Sequence, residues 1–134
     1  MSQKNVEIVR RQFEALQDGG LDDVAKYWHP DIEWRAIEGA ADDVGVMRGK
    51  GRLRRYYQDW IDTLDQLHAD VEEVIFDADE RVAVVVRNSG RGRASGVRTE
   101  GRYYITCTVR DDQIVSGREY ETRGQALEAV GLSE

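Results

Sequence analysis

Few residues in this 134-residue chain could carry chemistry. Its two histidines, His29 and His68, lie far apart, and neither joins a His, Asp or Glu cluster at ligand spacing. The sequence therefore predicts no metal site and no cofactor. His29 precedes Pro30, which disfavours helical geometry at that position, so it reads as a loop or helix-end residue rather than a base. The single cysteine, Cys107, can form no internal disulfide. It stands in an apolar run without a nearby histidine, which favours buried core over nucleophile. Gly90-Arg91-Gly92-Arg93 looks like an arginine–glycine RNA element, but one copy between two strands of an acidic chain reads as a hairpin loop. Asp22-Asp23 and Asp42-Asp43 read as solvated helix-start and loop charges. The remaining candidates are aromatic: Trp28, Trp34, Tyr56, Tyr57 and Trp60 gather around one helix and one strand. Core packing is the favoured reading. The other is a wall for a flat ligand, with the Tyr57 hydroxyl fixing its orientation.

Nineteen Lys and Arg against 26 Asp and Glu leave a formal charge of −7. Nucleic acid and anionic membranes are bound largely through basic surface, so neither is expected as a partner. A hydrophobic fraction of 40% with 34% charged residues suits a folded domain. No apolar run approaches the ~20 residues of a membrane span, and Met1-Ser2-Gln3-Lys4-Asn5 opens a charged helix without a signal-peptide core. These features predict one cytoplasmic domain spanning 1–134.

The elements that must position the aromatic set follow from periodicity. Val6, Val9, Phe13 and Leu16 form one helical stripe, stopped by Gly19-Gly20. A short helix follows through Leu21, Val24, Ala25 and Tyr27, then a strand in which Ile32, Trp34 and Ala36 alternate with Glu33 and Arg35. Glu38 to Arg48 reads as loop, and a third helix runs from about Lys50 to Leu64. After Leu67 the period changes from helical to alternating. Strands are predicted over 69–76, 81–88, 98–110 and 113–121, with turns at 77–80 and Asp111-Asp112 and a glycine-rich hairpin end at 89–96. Thr122-x-x-Gln125 has the form of a capping box, and Gly131 sits where a helix C′ glycine belongs. This order predicts an α+β domain with helices over one face of an antiparallel meander, leaving a cone whose open end is a pocket.

That order, with Ala15-Leu16-Gln17-Asp18-Gly19-Gly20-Leu21-Asp22, Tyr27-Trp28-His29-Pro30-Asp31-Ile32-Glu33-Trp34 and Ala126-Leu127-Glu128-Ala129-Val130-Gly131-Leu132, resembles the SnoaL-like branch of the nuclear transport factor 2 (NTF2-like) superfamily. The resemblance implies an NTF2-like, cystatin-like cone: a curved antiparallel sheet covered on one face by N-terminal helices. It does not select a chemistry, since the superfamily includes isomerases, cyclases, epoxide hydrolases, dehydratases and pure binders. Laid on the ketosteroid isomerase pattern, the oxyanion-hole tyrosine falls on Gln12 and the general-base aspartate on Ala36. The second acid falls on Tyr104 or Ile105, and a supporting tyrosine matches at Tyr57. With no carboxyl at the base or second-acid position, steroid isomerisation is not expected.

The same overlay implies which residues face the cone: Trp34 and Ala36; Ala83, Val85 and Arg87; Tyr103, Ile105 and Cys107; Val115, Gly117, Glu119 and Glu121. Two charges stand out on this apolar lining. Arg87 could anchor an anionic group with Glu119 as acid or base, or the two could form a structural ion pair, which is the favoured reading. Trp28, Trp34, Tyr57, Trp60 and Tyr103 are the candidate ligand-binding residues. The expected function is a site for a small, mainly apolar molecule, in an isomerase-, cyclase- or dehydratase-type enzyme. The alternatives are a non-catalytic binder and a dimeric interaction module. Val82, Val84 and Val86, read as outward, predict a homodimer through the sheet face, as the resemblance also implies.

Overall fold

The computed structural model describes residues 2–18, 20–39 and 45–132. Gly19 and the Asp42-Asp43 pair therefore lie outside the described residues. The helical stripe becomes α1 (Ser2–Asp18), with Val9, Phe13 and Leu16 in the core. Gly20, at φ 81°, leads into α2 (Leu21–Ala25), a conformation that costs glycine nothing. β1 (Trp28–Arg35) starts earlier than the alternation suggested and contains His29 and Pro30. Proline is tolerated there because the β1 pairing slips register between Trp28 and Glu33. The stretch read as loop before Arg48 holds a short strand, β2 (Val46–Arg48), paired antiparallel with β1.

α3 (Lys50–Thr63) passes directly into β3 (Leu64–Ala78). β4 (Arg81–Gly92), β5 (Arg98–Arg110) and β6 (Gln113–Tyr120) complete the meander. Most of the Gly90–Arg93 segment thus belongs to a strand. Asp79-Glu80 and Asp111-Asp112 turn with all four residues at φ between 51° and 68°, the twist that matches tight hairpins. The six strands lie in the order β2-β1-β6-β5-β4-β3. β1 pairs with β6 in parallel, so the sheet is mixed rather than wholly antiparallel.

α1 and α3 cover the inner face, where the apolar residues of helices and sheet form one core. The outer face is partly covered as well. α4 (Arg123–Ala129) begins with the expected capping box of Thr122 and Gln125 and packs back on β4, β5 and β6. Its Ala126 is buried outside the main core, as are Ala83 and Val85. Arg123 pairs there with Glu73, whose Cα partner is Val85. Among the described residues no helix is long and apolar enough to cross a membrane.

The face of β4 differs from expectation. Val82, Val84 and Val86 lie in the core, opposite Cys107, Ile105 and Tyr103 of β5. Cα partners share a face, so Ala83, Val85 and Arg87 point outward. The argument for a homodimer from exposed Val82, Val84 and Val86 therefore falls. On β6 a bulge between Thr108↔Ser116 and Val109↔Ile114 turns Ile114, not Val115, into the core, while Glu121 is exposed beyond the strand end.

Candidate functional site

Glu119 is the one buried carboxylate among the described core residues, at 3% exposure on the inner face of β6. Burying a carboxylate is costly unless it accepts hydrogen bonds. Trp34 supplies one from β1: its indole Nε1–H donates to Oε2 at 2.7 Å. Tyr56 supplies another from α3, its hydroxyl lying 3.2 Å from Oε1 and 3.3 Å from Oε2. Glu119 is thereby held between a sheet residue and a helix residue.

The aromatic set forms a continuous wall beside it. Tyr57 stacks on Trp28 at 5.9 Å between ring centroids and meets Trp34 edge-on at 6.4 Å. Trp60 touches Tyr56, Tyr57 and Tyr103 at 5.4, 5.7 and 6.1 Å. Spacings of three and four on α3 put Tyr56, Tyr57 and Trp60 side by side. Trp28, Trp34 and Tyr57 are fully buried, whereas Trp60 is half-buried. The rings thus fill much of the cone themselves.

Two hydroxyls in this wall, Tyr57 Oη and Tyr103 Oη, are buried with no hydrogen-bond partner among the described residues. Such groups are rare in folded proteins because an unmet donor costs free energy. Burial pushes the Tyr57 phenol well above its ordinary range, reinforced by Tyr103, Glu119, Tyr56 and Cys107. Tyr103 is raised in the same way, by burial first and then by Glu119, Tyr56 and Cys107. Both therefore keep their protons and act as O–H donors. Burial, with a smaller contribution from Glu119, also pushes Cys107 up to about 12. It is a buried thiol, not a nucleophile at neutral pH. Gln12 is buried beneath Trp28: its Oε1 accepts from Trp28 Nε1 at 2.6 Å, and its Nε2 has no partner among the described residues.

Arg87 does not join this group. It is exposed on the outer face and forms an ion pair with Glu100. Neither the anchor nor the Arg87–Glu119 pair survives, because the β4–β5 register separates the two side chains across the sheet. Trp28, Trp34, Tyr57, Trp60, Tyr103 and Glu119 do come together. Tyr56 was visible in the aromatic set but had not been singled out, and its link to Glu119 crosses 63 residues. Gly117 was read as facing the cone, which its pairing with Cys107 bears out, but its closeness to Trp34 was not read, although a glycine inside a strand is itself a signal of close approach. His29 lies in β1 with Nδ1 accepting from the Asp31 N–H at 3.0 Å. Among the described residues no group of three His, Cys, Asp or Glu side chains could hold a metal ion. A cleft of about 350 Å³ between the ends of β1 and β6 and α4 includes Glu119, Ile37, Tyr120 and Gln125 in its wall.

A mixed sheet curled around N-terminal helices, closed by aromatic residues, defines the class of NTF2-like α+β cones. The SnoaL-like domain matches residues 9–117, and the chain belongs to that family. No curated protein matches it in sequence. An NTF2-like protein from Burkholderia xenovorans is 28% identical, with a TM-score of 0.70 over 90% of both chains. A protein from Jannaschia named for a SnoaL-like polyketide cyclase is 20% identical, with a TM-score of 0.75 over 88% of this chain and 85% of its own. A ketosteroid isomerase-like fold from Catenulispora acidiphila, crystallised with trimethylamine, is 15% identical, with a TM-score of 0.73 over 94% and 93%.

Proposed function

We propose that the chain binds a small, mainly apolar carbonyl compound in the cone and that Glu119 moves a proton on it, in a reaction of isomerase, cyclase or dehydratase type. The observation that carries this reading is the pair of buried hydroxyls, Tyr57 and Tyr103, without a hydrogen-bond partner among the described residues, in the aromatic wall that also holds the Glu119 side chain. A carbonyl oxygen fits two protonated phenols, and a carbon-bound proton beside that carbonyl fits a carboxylate base. Glu119 takes the proton, the C–H electron pair moves toward the carbonyl, and the oxygen gains negative charge against the two O–H donors. Returning the proton to a second carbon completes an isomerisation and restores the carboxylate.

A thermal-shift screen with 1-indanone and 2-naphthol tests the site. Binding by the wild type that is lost in Tyr57→Phe and Tyr103→Phe supports the proposal. Deuterium exchange at the α-carbon of 1-indanone that vanishes in Glu119→Gln supports the proton transfer. No binding by the wild type, or binding indifferent to both tyrosines, overturns it.

A second reading has its own observation. Aromatic rings beside a carboxylate suit a small alkylammonium ion, and the Catenulispora acidiphila relative is described in complex with trimethylamine. Trimethylammonium chloride in the same screen decides between the two. A homodimer stays part of the proposal through the family alone, and light scattering that reads one chain mass rejects it.

A further inference from the structure

We propose that Trp34 and Gly117 are positioning residues for Glu119: the glycine reserves the space in which the indole lies across β6, and the indole N–H holds the carboxylate in one orientation. The inference rests on the reading of Glu119 as the group that meets the ligand. Trp34 and Gly117 are Cα partners in the parallel β1–β6 pair, and Gly117 and Glu119 share the inner face of β6. A Cβ at position 117 would stand 2.2 Å from Cζ3, 2.4 Å from Cε3 and 2.8 Å from Cη2 of the indole. These distances are far inside van der Waals contact, so any other residue displaces the ring. The ring has little room to yield, since Trp34 is fully buried and meets Tyr57 at its edge.

Gly117 does not have the positive φ that favours glycine, so its role here is steric. Glycine weakens a strand interior, and covering it with a cross-strand aromatic is a known way to recover packing. Here the covering ring also reaches two residues further, to the Glu119 carboxylate at 2.7 Å. An indole nitrogen can only donate, so Oε2 is its acceptor. The Tyr56 hydroxyl lies between the two oxygens and completes the clamp. One ring therefore joins the glycine, the carboxylate and the edge of Tyr57, which carries a partnerless hydroxyl.

The test is ¹H–¹⁵N NMR of the three indole N–H groups in the full chain, with Trp34 assigned from the peak missing in Trp34→Phe. Glu119→Gln and Gly117→Ala should each move the Trp34 indole peak more than those of Trp28 and Trp60. Trp34→Phe and Gly117→Ala should each move the Glu119 carboxyl ¹³C resonance, and a purely structural glycine would leave it in place in the second variant. If Gly117→Ala fails to fold, Gly117→Ala with Trp34→Phe must fold, because Phe lacks the outer ring edge that the Cβ strikes. An unmoved Trp34 peak in Glu119→Gln, or a double variant that also fails to fold, overturns the proposal. These readouts need no ligand. Failure of 1-indanone or 2-naphthol to bind would sink the functional reading and leave this one standing.

Discussion

Val86 of β4 stands directly across from Tyr103 of β5, and that pairing sends Arg87 to the face of the sheet opposite Glu119. Arg87 should consequently be silent in the interior. Arg87→Met is expected to leave probe binding unchanged and to shift a urea midpoint only slightly, because an exposed ion pair with Glu100 contributes little. A double-mutant cycle between Arg87 and Glu119 should give coupling near zero. Strong coupling in urea melts would contradict the register described here.

The two orphaned phenols make opposite demands on stability and binding. Tyr57→Phe and Tyr103→Phe remove hydroxyls that have no partner to lose. Each should be neutral or stabilising, by up to about 1 kcal/mol, since the buried group no longer goes unsatisfied. The same changes should weaken 1-indanone binding. A stability loss well beyond 1 kcal/mol in urea melts would mean that the hydroxyls are bonded in solution.

Removing the buried carboxylate should behave differently. Glu119→Leu removes the acceptor of the buried Trp34 N–H, and should destabilise by about 1–3 kcal/mol. Glu119→Gln keeps one carbonyl acceptor and should cost less. An order of stability in which Leu exceeds Gln would show that the clamp is not formed.

Alkaline pH should unfold the protein through its buried acids. Cys107 ionises at 9.0 in ordinary surroundings and at about 12 in the fold. Below the lower value both states hold the proton, so its contribution is fully present. Between the two, only the unfolded chain loses the proton, and stability falls by roughly 1.4 kcal/mol per pH unit for that group. Tyr57 and Tyr103, both raised, add to the slope above their ordinary value of 10.0. Cys107→Ala should flatten the decline of urea midpoints that starts near pH 9, and an unchanged slope would refute the burial of the thiol.

Local signals determined much of this protein. The stripe Val9, Phe13 and Leu16, the capping box of Thr122 and Gln125, the C′ turn at Gly131 and the Asp111-Asp112 turn are each written within a few residues, and each appears as read. The element order and its resemblance to SnoaL-like proteins carried the fold, as the family match over 9–117 bears out. What only the tertiary structure decided was register. Val82, Ala83, Val84, Val85 and Val86 are apolar at every position, so no alternation marks the inner face, and pairing with Tyr103, Ile105 and Cys107 had to choose it. That choice placed Arg87 outside. The bulge that turns Ile114 inward shifts one residue of β6 without a sequence mark. Trp34 and Tyr56 reach Glu119 from 85 and 63 residues away, and no local period carries a hydrogen bond over such distances. Side-chain chemistry could be read from residue types, but the partners depended on which strands lie side by side.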